Sequence, residues 1–208
     1  SPDLRTQLLD ANVGRLDGVI YTHSHADHVH GIDDLRMIVI NMRERLRVWA
    51  DPVTRDALLY RFDYVFEQPP KSSYPPILDI NTIDGDVKID GAGGPITFKP
   101  FEVNHGSIQA LGFRINDVAY LPDVATIPDN VWPELENLEC WIVDALRRNP
   151  HPTHSHLAQT LEWIERVQCK TAVLTNMHND LDYETVKAET PNHIQPAYDG
   201  MTLTFKTA

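Results

Sequence analysis

Between Tyr21 and Gly31 the chain reads Tyr-Thr-His-Ser-His-Ala-Asp-His-Val-His-Gly, four imidazoles and a carboxylate within eight positions. The run follows Val19-Ile20-Tyr21, an apolar triplet that reads as the end of a buried strand. Neutral imidazole nitrogen and carboxylate oxygen suit zinc, manganese or iron better than calcium or magnesium, which prefer all-oxygen shells. Residues two apart on an extended segment point the same way, so His23 and His25 can converge on one cation. A turn after them lets the neighbours Asp27 and His28 face a second cation. Two metals roughly 3.5–4 Å apart can hold a bridging hydroxide and clamp both the attacking and the leaving oxygen of a displacement. A surface histidine cluster or a purification tag is the plain alternative, but tags do not follow a strand or interleave an aspartate.

His23-x-His25-x-Asp27-His28 resembles the H-x-H-x-D-H signature of the metallo-β-lactamase superfamily, and the resemblance runs through nearly all of the chain. The longer run from Thr22 to Arg36 is most similar to the phosphoribosyl cyclic phosphodiesterases, with the tRNA 3′-processing endonucleases as cousins. The resemblance implies an α/β fold, an αββα four-layer sandwich, with residues 1–208 forming one hydrolase domain. Relatives place two or three strands and a glycine-rich loop ahead of the segment similar to Ser1-Pro2-Asp3-Leu4-Arg5. The expectation is therefore a domain that lacks its N-terminal strands.

The elements that must position the motif follow from the patterning. Ser1 and Pro2 open a helix with a stripe at Leu4, Leu8 and Leu9, ending near Gly14. Leu16 to Tyr21 reads as a strand, and Asp33 to Arg45 as a helix with Leu35, Ile38, Val39 and Met42 on one face. Leu46 to Ala50 is a short strand, and Asp51-Pro52 opens a helix reaching about Arg61. Phe62 to Pro76 carries four prolines in its last eight residues and reads as a long loop, a lid or a surface flap. Short alternating segments from Ile77 to Leu121 read as an antiparallel meander. Beyond Pro128 helix and strand alternate: Asp129 to Glu136, Trp141 to Leu146, Ser155 to Val167, Thr171 to Met177, Tyr183 to Glu189 and Ala197 to Phe205.

Composition narrows the partners. A chain of 208 residues, 42% apolar, can bury a sizeable core. Asp and Glu outnumber Lys and Arg by 30 to 18, and the net charge of -12 weighs against nucleic acid while leaving small anions open. Two cysteines, Cys140 and Cys169, lie in apolar contexts and read as core thiols of a reducing compartment. No run approaches 18 apolar residues and Ser1-Pro2-Asp3 is no secretion signal, so the expectation is a cytoplasmic protein without a membrane partner.

Three further positions sit where a strand gives way to a loop, which is where a scaffold aims side chains: His105, Asp123 and His178. Matched to the superfamily, His105 resembles the third ligand of the first metal, Asp123 the carboxylate bridging both, and His178 the last ligand of the second. Many relatives have histidine directly after the Leu-Thr pair, where this chain has Asn176. Two positions on, an extended backbone returns to the same face, and His178 is the expected ligand. Classical β-lactamases commonly carry cysteine at the position comparable to Asp123, and flavodiiron proteins usually carry glutamate in place of His25. Hydrolysis is thus implied over oxygen reduction.

The cluster from Asp144 to His156 adds a proton donor. By resemblance to the tRNA-processing cousins, His154 falls at a catalytic histidine and Asp144 at its acidic partner. An imidazolium held by a carboxylate can protonate a leaving alkoxide near neutral pH. Arg147 and Arg148 are candidates to grip a phosphate oxygen. His151 and His156 read as solvent-facing residues at a helix start, and His30 as a residue supporting a ligand from behind. His193 carries no role, since the cysteines that accompany a nearby structural-zinc histidine in some relatives are not in this chain.

Together these residues, with the resemblance, imply a phosphoric diester hydrolase with two divalent cations, manganese or zinc. His23, His25 and His105 hold one metal, Asp27, His28 and His178 the other, and Asp123 bridges. Asp27, His154 and Asp144 form the catalytic set. The implied substrate is a small cyclic or nucleotide-like phosphate ester, with phosphoribosyl 1,2-cyclic phosphate resting on resemblance alone. A tRNA 3′-processing nuclease, a lactonase or thioesterase, and a non-catalytic nucleotide-binding protein are the alternatives. Many relatives dimerise, which makes a second copy of the chain a candidate partner.

Overall fold

Three short parallel strands carry the first part of the chain: β1 (Val19–Ile20), β2 (Leu46–Ala50) and β3 (Leu78–Thr82), in the order β1-β2-β3. Their register pairs Val19 with Val48 and Leu46 with Leu78. This is the computed structural model of the protein, which describes residues 1–205. Along β2, Leu46, Val48 and Ala50 are buried while Arg47 is exposed, the alternation of a strand covered on one face. Helix α1 (Leu4–Asp10) precedes β1, and α2 (Ala26–Val29), α3 (Leu35–Met42), α4 (Pro52–Arg61) and α5 (Asp63–Phe66) fill the connections. Asp51 caps α4, its Oδ2 accepting from the backbone N–H of Val53 at 2.9 Å, and Pro52 takes a first-turn position that has no N–H to lose. Arg43 closes α3 in the left-handed region at φ 58°. The core here gathers Val29, Ile32, Leu35, Leu46, Val48, Leu58, Val65 and Leu78.

Two expectations are corrected in this part. Ile77 to Ile83 does not open an antiparallel meander: β3 pairs parallel with β2, because α4 and α5 make the stretch between them a crossover. The proline-rich stretch begins as α5, whose residues precede the first of its prolines. A hairpin then leads through β4 (Val87–Gly91) into the long β5 (Gly94–His105). The chain forms two units, Ser1–Thr97 and a second beginning at Phe98.

In the second unit β5 runs antiparallel to β6 (Ile108–Ile115), and β6 antiparallel to β7 (Val118–Leu121). From there β7, β8 (Cys140–Asp144), β9 (Thr171–Thr175) and β10 (Ile194–Pro196) are parallel neighbours. Two reversals restore direction, so β5, β7, β8 and β9 all finish at the same edge of the sheet. Ala119, Leu121, Trp141, Val143 and Leu174 are wholly buried there. Helix α6 (Leu157–Val167) contributes Leu157, Thr160 and Ile164 to the interior, and α7 (Tyr183–Glu189) contributes Val186.

The helix expected over 129–136 is a single 3-10 turn, Trp132–Leu135, with Pro133 inside it. The strand expected over 197–205 is also absent. Pairing with β9 ends at Pro196, and the chain turns at Tyr198 to Met201 with Gly200 at φ 83°. Among the described residues no helix is long and apolar enough to cross a membrane.

Candidate metal centre

The first unit supplies its histidines from one turn. Tyr21 extends the β1 ladder by a bond from its N–H to the Trp49 carbonyl at 2.9 Å, which carries Thr22 and His23 into the interior; His23 is 1% exposed. His25 keeps an extended backbone, φ -68° and ψ 153°, and α2 starts directly after it. That change of backbone swings Asp27 and His28 round in the first helical turn. The His23 ring lies 4.7 Å from that of His25 and 4.3 Å from that of His28, centroid to centroid, and Asp27 Oδ2 is 3.2 Å from His28 Nε2.

Three neighbours fix this turn. The Thr22 hydroxyl is 3.1 Å from His23 Nδ1, which leaves Nε2 as the outward nitrogen. Arg61, the last residue of α4, donates from Nη1 to the carbonyl of Ser24 at 2.5 Å, the peptide between the two histidines. Gly31 closes the motif because a Cβ there would come within 2.3 Å of the Ser1 carbonyl oxygen. His30 is exposed, its ring stacked edge-on to Phe62 at 6.1 Å, rather than behind one of the other histidines.

In the second unit the strand ends do the same work. His105 is the last residue of β5, Asp123 follows β7 by two residues, and Asp144 is the last of β8. His105 Nε2 lies 3.3 Å from Asp123 Oδ2, and neither side chain is more than 1% exposed. His105 Nδ1 is 2.6 Å from the Thr153 carbonyl. A carbonyl only accepts, so Nδ1 carries the proton and a neutral ring turns its lone pair towards Asp123. Two acceptors facing each other in a dry site call for a cation or a shared proton between them. The donor set therefore fits a divalent metal held by imidazole and carboxylate.

Asp144 Oδ2 accepts from His154 Nδ1 at 2.9 Å and from the Val124 N–H at 3.1 Å. Burial pushes the Asp144 carboxyl up to about 6, with the hydrogen bond and charge of His154 pulling the other way. The hydroxyls of Ser155 and Thr160 both donate to its backbone carbonyl at 2.7 Å, which ties the start of α6 to the end of β8. The His154 ring is 14% exposed and sits 4.7 Å from that of His105.

Other expected residues lie elsewhere. The expected role of His178 requires an extended backbone, whereas Asn176 takes a left-handed conformation at φ 59°, so the two do not share a face. The His178 side chain is 59% exposed with Nδ1 3.3 Å from Asp180, whereas Asn176 donates from Nδ2 to Asp123 Oδ1 at 2.9 Å. Arg147 donates to the carbonyls of Asn149 and Pro150, at 3.0 and 2.6 Å, and Arg148 pairs with Glu189 at 2.9 Å. Their guanidinium groups brace the protein itself, which removes the ground for assigning them a phosphate. His151 is partly exposed, and its Nδ1 accepts from the Thr153 N–H at 3.3 Å. Sequence reading missed Thr22, Arg61 and Thr153; only Thr22, directly before the first histidine, stood where it could have been suspected.

Residues 1–177 match the beta-lactamase superfamily domain. A solved structure of a new diphosphatase from the PhnP family superposes with a TM-score of 0.88 at 31% identity, covering 99% of this chain and 78% of that one. Human tRNase Z, short form, gives a TM-score of 0.70 at 15% identity over 99% of this chain and 86% of its own, a likeness of fold. An octanoyltransferase of Porphyromonas gingivalis (strain ATCC BAA-308 / W83) is 33% identical over 206 residues, 97% of this chain; the match spans 40% of that protein's length. On the extent of these matches, the chain belongs to the beta-lactamase superfamily domain family and has the α/β metallo-β-lactamase fold of metal-dependent hydrolases.

Proposed function

We propose that the protein is a metal-dependent phosphodiesterase acting on a small cyclic or nucleotide-like phosphate ester, with phosphoribosyl 1,2-cyclic phosphate as the first substrate to try. By the order of the superfamily's motifs, His23, His25 and His105 are assigned to one divalent cation, Asp27 and His28 to a second, and Asp123 to both. Asn176 orients Asp123, and His178 is left out of the set. Manganese and zinc both suit these donors. When bound, such metals supply Lewis acidity and an activated water.

One observation carries the reading: His154 is held by the buried carboxylate of Asp144 at 2.9 Å, beside His105. With Nδ1–H fixed on Asp144, the opposite nitrogen is the one that can deliver a proton to a leaving alkoxide. An alkoxide leaving phosphorus needs that proton more than a thiolate leaving a carbonyl does. The partner is a small anion, the net charge of -12 disfavours nucleic acid, and a homodimer in the cytoplasm completes the proposal. The buried free thiols of Cys140 and Cys169 agree with a reducing setting.

The test is hydrolysis of bis(p-nitrophenyl) phosphate and of an alkyl-leaving ester by protein stripped of metal and reloaded with manganese or zinc, beside His154→Ala. Turnover that returns with metal and falls by roughly 10²–10⁴ in the variant on the alkyl ester supports the reading. Two bound metals without phosphodiester turnover would end it. The octanoyl group in the name of that relative makes a thioesterase the second reading to test, and an octanoyl thioester in the same assay addresses it.

A further inference from the structure

We propose that Gly106 and Thr153 are positioning residues that lock the metal ligand His105 and the proton donor His154 into one mechanical unit; the roles of those two histidines rest on the phosphodiesterase reading. Thr153 is a hub. Its carbonyl receives the Nδ1–H of His105 at 2.6 Å, its N–H goes to His151 Nδ1 at 3.3 Å, and its hydroxyl is 3.2 Å from that same nitrogen. The next residue is His154, anchored on Asp144 at 2.9 Å. A single residue step therefore separates the oxygen that orients the ligand from the side chain that delivers the proton.

The loop bearing Thr153 is closed on itself. Leu146 N–H reaches the Ser155 carbonyl at 3.0 Å, Leu157 N–H reaches the Arg147 carbonyl at 2.9 Å, and the Arg147 guanidinium fills the turn at Asn149 and Pro150. A closed loop moves as a body. It can lie against the end of β5 only because residue 106 has no side chain: a Cβ on Gly106 would stand 2.3 Å from Thr153 Cγ2 and 3.0 Å from Thr153 Cβ. Gly106 also sits at φ 69°, where L side chains are strained. Pushing the loop outward would take the carbonyl from His105, release the ring's tautomer and orientation, and carry His154 off with it. Fixing a ligand's tautomer through its other nitrogen is how an outer residue tunes a metal site.

The test uses the full chain as Gly106→Ala, Thr153→Ser, the double variant, and Thr153→Gly. Zinc affinity is read by competition with a chromophoric chelator, and the hydrogen-bonded Nδ1–H of His105 by proton NMR. Gly106→Ala is expected to weaken the affinity at one metal by roughly 10–100-fold and to lose the imidazole proton signal. Adding Thr153→Ser removes the clashing methyl but keeps the backbone and the hydroxyl, and should restore most of both. Equal weakness in the single and double variants would assign the loss to backbone strain at residue 106 and overturn the proposal, as would wild-type affinity in Gly106→Ala. Should Gly106→Ala not fold, Thr153→Gly decides: a loosened loop predicts about tenfold weaker zinc, and unchanged zinc refutes the coupling. None of these readouts uses phosphodiester turnover, so an inactive but zinc-binding wild type would sink the function and leave the coupling standing.

Discussion

The first unit draws its candidate ligands from one stretch of six residues, while the second collects His105, Asp123, Asp144 and His154 from three strand ends and a loop. In the first, the backbone itself makes the geometry: an extended residue at His25, then a helical turn. In the second, the sheet makes it, because β5, β7 and β8 finish at one edge only while their pairing holds. The outer partners differ in kind as well. His23 leans on a threonine hydroxyl that mutation can remove, and His105 on a backbone carbonyl that it cannot. The contiguous set is therefore vulnerable to single side-chain changes, and the dispersed set to shifts of a loop or a strand.

Asp144→Asn has the largest expected effect on the second unit. The buried carboxylate serves His154 and not the proposed ligands directly, so phosphodiester turnover should fall by about 10²–10⁴ while both metals stay bound. Metal analysis beside kinetics checks it. Loss of metal along with turnover would mean that the second unit does not keep its acid and its ligands apart.

The same carboxyl gives a pH signature. Its unfolded value is 3.8 and burial raises it to about 6, so the folded chain binds this proton more tightly than the unfolded one. Stability contributed here is present below about pH 4 and is lost as pH rises through about 6, an effect of about 3 kcal/mol. Urea unfolding of metal-free protein and of Asp144→Asn, at pH values on either side of that window, isolates it. A stability difference between the two that does not change with pH removes Asp144 as its source.

How much was legible follows the same division. The eight-residue run announced itself by composition and by the strand before it, and β2, α4 and α7 matched their expected spans because their caps, prolines and alternation are local. His105, Asp123 and Asp144 were found only through the family's motif order, since no local pattern distinguishes them from other loop residues. His178 would share a face with residue 176 only on an extended backbone; Asn176 instead takes a left-handed conformation, and its side chain meets Asp123, 53 residues away in sequence, a pairing that no local pattern announces. Thr153 and Arg61 act through a backbone carbonyl received or given, a bond that leaves no mark on residue type. The parallel pairing of β3 likewise came from the crossover before it, not from its own alternation.

Two smaller changes sharpen the contrast inside the first unit. Thr22→Val keeps the shape but removes the oxygen 3.1 Å from His23 Nδ1, and the affinity of the metal assigned to His23 should fall by roughly tenfold. Arg61→Met should act on the same metal more weakly. Its guanidinium fixes only the peptide of Ser24, on an exposed surface where one hydrogen bond is worth about 1 kcal/mol, and the His25 ring can recover part of its position by rotation. A zinc titration that resolves two binding steps tells these effects apart. Both substitutions should weaken one step and spare the one assigned to Asp27 and His28, which the start of α2 orients without either residue. If Arg61→Met instead weakens both steps equally, the turn responds as a whole, and the contiguous set is as mechanically coupled as the dispersed one.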